Sequence, residues 1–155
     1  DMVTLVPEKR QELTTEGGLD MTGQKTHVKE TVKRLHDSGI PVSLFINPHI
    51  MDVDISKETG ADMVEMHTGL YANAKGDKQG DELIRMIEAA KVAQKLGLLV
   101  NAGHGLNYHN VLKIASIQGL RGLYIGHSII SRAVLVGIER AVREMKEIIA
   151  AAVNE

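Results

Sequence analysis

The chain has 155 residues, 43% of them hydrophobic and 25% charged, with a formal net charge of −2, the make-up of a globular domain around one packed core. Eighteen Lys plus Arg against twenty Asp plus Glu leave no basic excess to grip a phosphate backbone, so nucleic acid is not an expected partner. Zero cysteines exclude a disulfide, a thiolate nucleophile or a Cys-ligated metal among these residues.

Short apolar runs alternate with amphipathic segments in five successive strand-then-helix units. The first strand is Met2 to Val6. A polar loop from Pro7 to Gly23 leads to a helix over 24–38 with Val28, Val32 and Leu35 on its apolar face and Gly39 as its stop. Strand two spans 42–46, and a short helix follows at about 52–58, closed by Gly60. Strand three spans 62–66. The next helix covers about 80–96, striped by Leu83, Met86, Ile87, Ala90 and Ala93 and ended by Gly97. Strand four spans 98–101, and a short helix follows around 108–115. Strand five spans 122–125. One long helix then runs from Ser128 to about Val153, with Val134, Ile138, Ala141, Met145 and Ile148 predicted on its buried stripe and Arg132, Arg140, Lys146 and Glu147 in water. The methionines read as core filling.

No apolar run approaches the roughly 20 residues that span a bilayer, and no secretory leader opens the chain. The expected location is the cytoplasm, with no membrane partner. No linker or charge run divides the chain, so residues 1–155 read as part of a single domain.

Strands this apolar, each followed by a helix, imply a parallel sheet covered by helices. Neither a G-x-G-x-x-G nor a G-x-x-x-x-G-K-[ST] fingerprint is present, which removes the usual support for a doubly wound nucleotide fold. A (β/α)8 TIM barrel is favoured. Such barrels need eight strands and about 250 residues, so the expectation is the last five units of a barrel. The absence of an initiator methionine agrees with that expectation.

In such a fold ligands meet the C-terminal ends of the strands, and there the sequence is polar. Glu65 lies inside an apolar run, where a carboxylate costs several kcal/mol (order of magnitude) unless paired, hydrogen-bonded or neutralised. It reads as an acid, base or polar stabiliser, or else as half of a buried ion pair. His104, between Gly103 and Gly105, suits proton transfer near neutrality, or is a loop histidine bonded to a carbonyl. Gly126-His127-Ser128 opens the last helix, whose free amides favour phosphate, unless Ser128 is a plain N-cap. Thr14, Thr15 and the Glu16-Gly17-Gly18 turn suit a polar ligand or an ordinary loop, and Lys9 and Arg10 an anion or solvent. Glu65, His67, His104, His109 and His127 could converge on a metal, but no H-x-H or H-E-x-x-H spacing supports one, and none is expected.

Taken together, Val6-Pro7-Glu8-Lys9-Arg10-Gln11-Glu12, Thr14-Thr15-Glu16-Gly17-Gly18, Val42-Ser43-Leu44-Phe45-Ile46, Glu65-Met66-His67-Thr68-Gly69, Val100-Asn101-Ala102-Gly103-His104-Gly105-Leu106 and Ile125-Gly126-His127 closely resemble the pyridoxine 5'-phosphate synthase family. The resemblance spans essentially the whole chain. It implies a (β/α)8 barrel that condenses 3-amino-2-oxopropyl phosphate with 1-deoxy-D-xylulose 5-phosphate, giving pyridoxine 5'-phosphate, phosphate and water, with no cofactor. It further implies His104 as proton donor and Glu65 as transition-state stabiliser. Gly105, Gly126 and His127 become contacts to the aminoketone phosphate, and Thr14 a contact to the deoxyxylulose phosphate. A homo-octamer is implied as well.

In that family a further catalytic His and Glu come from three preceding units, so the 155 residues alone are expected to be inactive. Two other readings compete. One is another phosphate-handling barrel enzyme, an aldolase or isomerase, against which stands the lack of any lysine inside a predicted strand to form a Schiff base. The other is a non-catalytic phosphate-binding module.

Overall fold

The computed structural model describes residues 1–7 and 17–153. Five strands, β1 (Val3–Leu5), β2 (Val42–Ile46), β3 (Met63–His67), β4 (Leu99–Gly103) and β5 (Leu120–Tyr124), form one parallel sheet in the order β1-β2-β3-β4-β5. Each new strand joins the same edge as the last. A doubly wound sheet reverses its order at a switch point; this one does not.

Between the strands lie α1 (Met21–Asp37), α2 (Ile50–Thr59), α3 (Gly69–Asn73), α4 (Asp77–Lys95) and α5 (Val111–Ala115), and α6 (His127–Val136) and α7 (Ile138–Val153) follow β5. One face of the sheet carries Val42, Leu44, Ile46, Val64, Met66, Val100 and Ala102. These pack in a single core with Val28 and Val32 of α1, Val53 of α2, Met86, Ala89, Ala90 and Ala93 of α4, and Ile114 of α5. Each buried Val, Leu or Ile side chain contributes about 1.5–3 kcal/mol, so this face anchors the helix layer.

The opposite face is built by the alternate residues. Phe45 pairs with Glu65 and Glu65 with Asn101; Ser43 pairs with Met63, and His67 with Gly103. Direct partners in a ladder share a face. This second face is polar, and Ser43 Oγ, both ring nitrogens of His67 and Asn101 Nδ2 are buried without a hydrogen-bond partner among the described residues.

Several boundaries differ from the sequence expectation. Helix α1 begins at Met21 rather than Gln24, because the Asp20 carboxylate accepts the Gly23 amide at 2.9 Å and caps the helix there. The short helix α3 directly after β3 was not expected; five residues are too few to show a helical period. The single helix predicted for 128–153 is two helices. Gly137, at φ 84° and ψ 152°, turns the axis between α6 and α7. Val134 and Ile138 therefore do not join the buried stripe and are 82% and 55% exposed, whereas Ala141 and Met145 are buried and Ile148 packs against the core. Arg132 is not simply in water either: its Nε and Nη2 reach Glu144 at 2.9 and 3.2 Å, bracing α6 against α7. No helix among the described residues is long and apolar enough to cross a membrane.

Candidate active site

All five strands point the same way, so their C-terminal ends share one rim. A groove of about 980 Å³ opens there, lined by Val6 after β1, Phe45 of β2, Glu65 of β3, His104 to Asn107 after β4, and the run from Leu123 to Ser128 at the end of β5 and the start of α6. Five of the six predicted site residues, Glu65, His104, Gly105, Gly126 and His127, line this one groove. Thr14, together with Lys9, Arg10 and Thr15, lies outside the described residues. The neighbouring Gly18 is held at the end of β2 by a bond from its amide to Asn47 Oδ1, 3.0 Å.

Glu65 is 9% exposed and has neither a hydrogen bond nor an ion pair among the described residues. The buried ion pair considered for it is therefore not seen among them. Burial pushes its carboxyl up to about 7, where the group holds or releases a proton near neutral pH. A Cβ on Gly103 would stand 2.5 Å from Glu65 Oε1, so the carboxylate fits only over a residue without a side chain.

His104 has φ +80°, the only positive value on a residue other than glycine among the described residues. No hydrogen bond involves its ring among the described residues, and the ring lies 4.9 Å from that of His67 between centroids. His67 in turn meets Phe45 edge-on at 5.3 Å. Burial, and secondly the His104 imidazole, pull the His67 pKa down to about 4, which keeps that ring neutral at physiological pH.

Gly126 is the N-cap of helix α6, and no side chain caps it. Ser128, weighed above as an N-cap, instead donates its hydroxyl to the Leu106 carbonyl at 2.8 Å, tying the start of α6 to the β4 loop. The first-turn amides thus open on the groove with the helix dipole behind them, the arrangement that favours phosphate. His109 lies elsewhere, in a hollow with Tyr108, Arg132 and Glu144. Among the described residues no group of three or more His, Asp or Glu is placed to hold a metal ion.

The family model described as pyridoxal phosphate biosynthesis protein PdxJ matches residues 1–151. The chain belongs to the PdxJ family. Among curated relatives, the pyridoxine 5'-phosphate synthase of Thermodesulfovibrio yellowstonii is 64% identical over 149 residues, covering 96% of this chain and 62% of its own length. The synthase of the same name from Prochlorococcus marinus is 55% identical, covering 96% and 63%. This PdxJ-family chain therefore spans a little over three-fifths of the length of those relatives.

Solved structures share the fold at low identity. The BexX/CysO complex of Amycolatopsis orientalis matches with a TM-score of 0.59 at 16% identity, covering 87% of this chain and 50% of that one. Dihydrodipicolinate synthase from Bacillus clausii matches at 0.54 and 20%, covering 81% and 41%.

Three buried polar residues adjoin the residues of the groove without lining it: His67 beside His104, Asn101 paired with Glu65, and Thr68 bonded to Gly103. The sequence offers His67 only as a possible metal ligand, Asn101 as a strand end, and Thr68 as one member of a polar run, with no separate role. The signal for His67 was present, since period two places it on the same side as Glu65. For Thr68 no signal exists, because its partners lie 35 and 36 residues away.

Proposed function

We propose that the whole protein is a pyridoxine 5'-phosphate synthase, joining 3-amino-2-oxopropyl phosphate to 1-deoxy-D-xylulose 5-phosphate and releasing phosphate and water. The observation that carries this reading is the meeting, in one groove, of a carboxyl poised near pH 7, a free imidazole and the uncapped start of α6. Condensing an amine with a ketone, losing phosphate and closing a ring all require protons to be moved beside anchored phosphates. His104 acts as proton donor, and Glu65 stabilises charge that develops in the transition state. Gly105, Gly126 and His127 seat the aminoketone phosphate, and Thr14 contacts the other substrate. No cofactor takes part.

The sheet forms the last five units of a (β/α)8 barrel in this proposal. Two features support it: the strand order never reverses, and polar atoms of Ser43, His67 and Asn101 without a partner among the described residues call for a polar lining across the face they share. In this proposal the 155 residues by themselves are inactive, because the family's further catalytic His and Glu are not among them. The whole protein is a cytoplasmic homo-oligomer, and Ile130, Val134, Leu135 and Ile138, all more than half exposed, form an apolar stripe suited to burial in an assembly.

The test incubates the complete protein with both phosphorylated substrates and follows pyridoxine 5'-phosphate and phosphate together. Formation of both, cut to a small residual rate by His104→Asn, is the expected result. Turnover unchanged by that substitution would leave a binding role and remove the catalytic one. None of the five strands among the described residues carries a lysine, so borohydride is expected to trap no substrate adduct on them.

A further inference from the structure

The His104 backbone has φ +80°, a value uncommon for residues other than glycine. Contacts to its carbonyl show what holds it there. The surrounding contacts point to one residue on the neighbouring unit. Thr68 is fully buried, and its hydroxyl lies within hydrogen-bond reach of two carbonyls, that of Gly103 at 2.7 Å and that of His104 itself. Its amide donates to the Gly103 carbonyl as well, at 2.8 Å. Both carbonyls flanking the Gly103–His104 link are thus gathered by a single side chain and its own N–H.

The hydroxyl is not spent where such a residue usually spends it. Thr68 is the N-cap of α3, yet makes no side-chain capping bond, although a threonine there normally accepts from the first turn of its own helix. Its bonding is directed across to β4. The same turn is closed against the β4 loop at two further points. A Cβ on Gly69 would meet His67 Nε2 at 2.5 Å and His104 Cδ2 at 3.2 Å, and one on Gly105 would meet Ala72 Cβ at 2.8 Å. The turn after β3 and the loop after β4 are thus in close contact on both sides of Thr68.

We infer that Thr68 is a positioning residue for His104, its buried hydroxyl holding the His104 backbone in the left-handed conformation that turns the imidazole into the groove. The inference rests on the proposed role of His104 in proton transfer. Thr68 touches no substrate; it acts through the histidine.

The test uses the complete protein with Thr68→Val, which keeps the shape and removes the hydroxyl, and Thr68→Ser, which keeps the hydroxyl and removes the methyl. Thr68→Val is expected to lower kcat on the order of 10- to 100-fold, as misplacing a reacting group does, with KM for both substrates within about twofold. Thr68→Ser is expected to retain most of kcat. In a His104→Asn background Thr68→Val should cost nothing further, since a residue acting through His104 has nothing left to position. A proportional further loss there, or a Thr68→Ser protein as impaired as Thr68→Val, overturns the inference.

A second readout is independent of turnover. The His104 imidazole resonance, assigned by its loss in His104→Asn, should shift in Thr68→Val and stay in place in Thr68→Ser. If Thr68→Val does not fold, the serine variant decides alone: most of kcat retained with an unmoved His104 signal supports the inference, and a loss of kcat of about tenfold or more or a moved signal in a folded protein ends it. If the wild-type protein makes no product, the functional reading fails, and the resonance still reports whether Thr68 governs His104.

Discussion

Glu65 Oε1 occupies the space that a side chain on Gly103 would fill; a Cβ there would stand 2.5 Å from that oxygen and 3.0 Å from both Cβ and the carbonyl oxygen of Tyr124. The two residues are offset by two positions across the β3–β4 ladder, on the same face, since Glu65 pairs with Asn101 and His67 with Gly103. Gly103→Ala therefore forces the carboxylate, the neighbouring strand, or both to move. Overpacking of this kind costs typically about 1–3 kcal/mol. The expected outcome is a lower thermal midpoint together with a loss of turnover larger than the stability change alone explains. A Gly103→Ala protein as active as wild type would mean that Glu65 has no fixed place in the reaction.

The Glu65 carboxyl also sets a pH dependence of stability. Its folded pKa, about 7, lies above the value near 4.3 of an unfolded glutamate. Between those two values the unfolded chain has released the proton and the folded one has kept it. The favourable contribution is complete below about 4.3 and is lost as pH rises through 7. Glu65→Gln removes this titration. Relative to wild type, the variant should gain stability between pH 5 and pH 8, on the order of 1–2 kcal/mol once partial exposure to the groove is allowed for. Denaturant unfolding of both proteins at the two pH values measures it, and an identical difference at both would show that Glu65 ionises normally.

The pattern of strands and helices was legible because burial on both faces leaves strands as short apolar runs, and because Gly39, Gly60 and Gly97, all at positive φ, punctuate the helix ends. Residues 128–153 misled for a physical reason. Gly137 in an otherwise helical pattern costs only about 1 kcal/mol, so the sequence does not distinguish a tolerated glycine from a break. At the rim, Glu65 and His104 could be read from the sequence because each breaks its local context, one charged among apolar neighbours and one between glycines. Thr68 breaks nothing. Its role exists only through bonds to residues 35 and 36 positions later, and such pairings are set by the register of two strands rather than by any local word.

At the opposite end of the sheet Asp62 joins three segments. Its carboxylate accepts the Val42 amide at 2.7 Å and meets His36 Nε2 at 2.8 Å, and its backbone carbonyl accepts the Leu99 amide at 3.1 Å. Burial works to raise its pKa, but the Val42 and His36 bonds outweigh it, and the net shift is downward. The sign is opposite to that of Glu65. The stabilisation is present above the unfolded value near 3.9 and is lost as pH falls through the lower folded value. Asp62→Ala should destabilise the protein at pH 7 by about 1 kcal/mol, the net worth of such a hydrogen bond, and the gap from wild type should close in strong acid. Turnover per folded molecule should not change, because Asp62 is at the far end of the strands from the groove. Acid titration of unfolding for the two proteins checks the first statement and steady-state kinetics the second.

Gly126 differs from Gly103 and Gly105 in what the fold asks of it. Its φ is −110°, which any residue adopts, and a Cβ there would meet nothing within 4 Å. Packing and backbone geometry therefore give no reason for glycine at this site. A ligand approaching the first-turn amides of α6 does give one, because a methyl group would stand between the phosphate and those donors. Gly126→Ala is expected to fold with an unchanged thermal midpoint in the absence of ligand and to lose affinity for the aminoketone phosphate by about tenfold or more, one good charge-assisted hydrogen bond being worth roughly 1.5–3 kcal/mol. Inorganic phosphate provides the simplest probe. It should raise the wild-type midpoint and leave that of Gly126→Ala nearly where it was. Equal phosphate stabilisation of the two proteins would place the anion seat away from the start of α6.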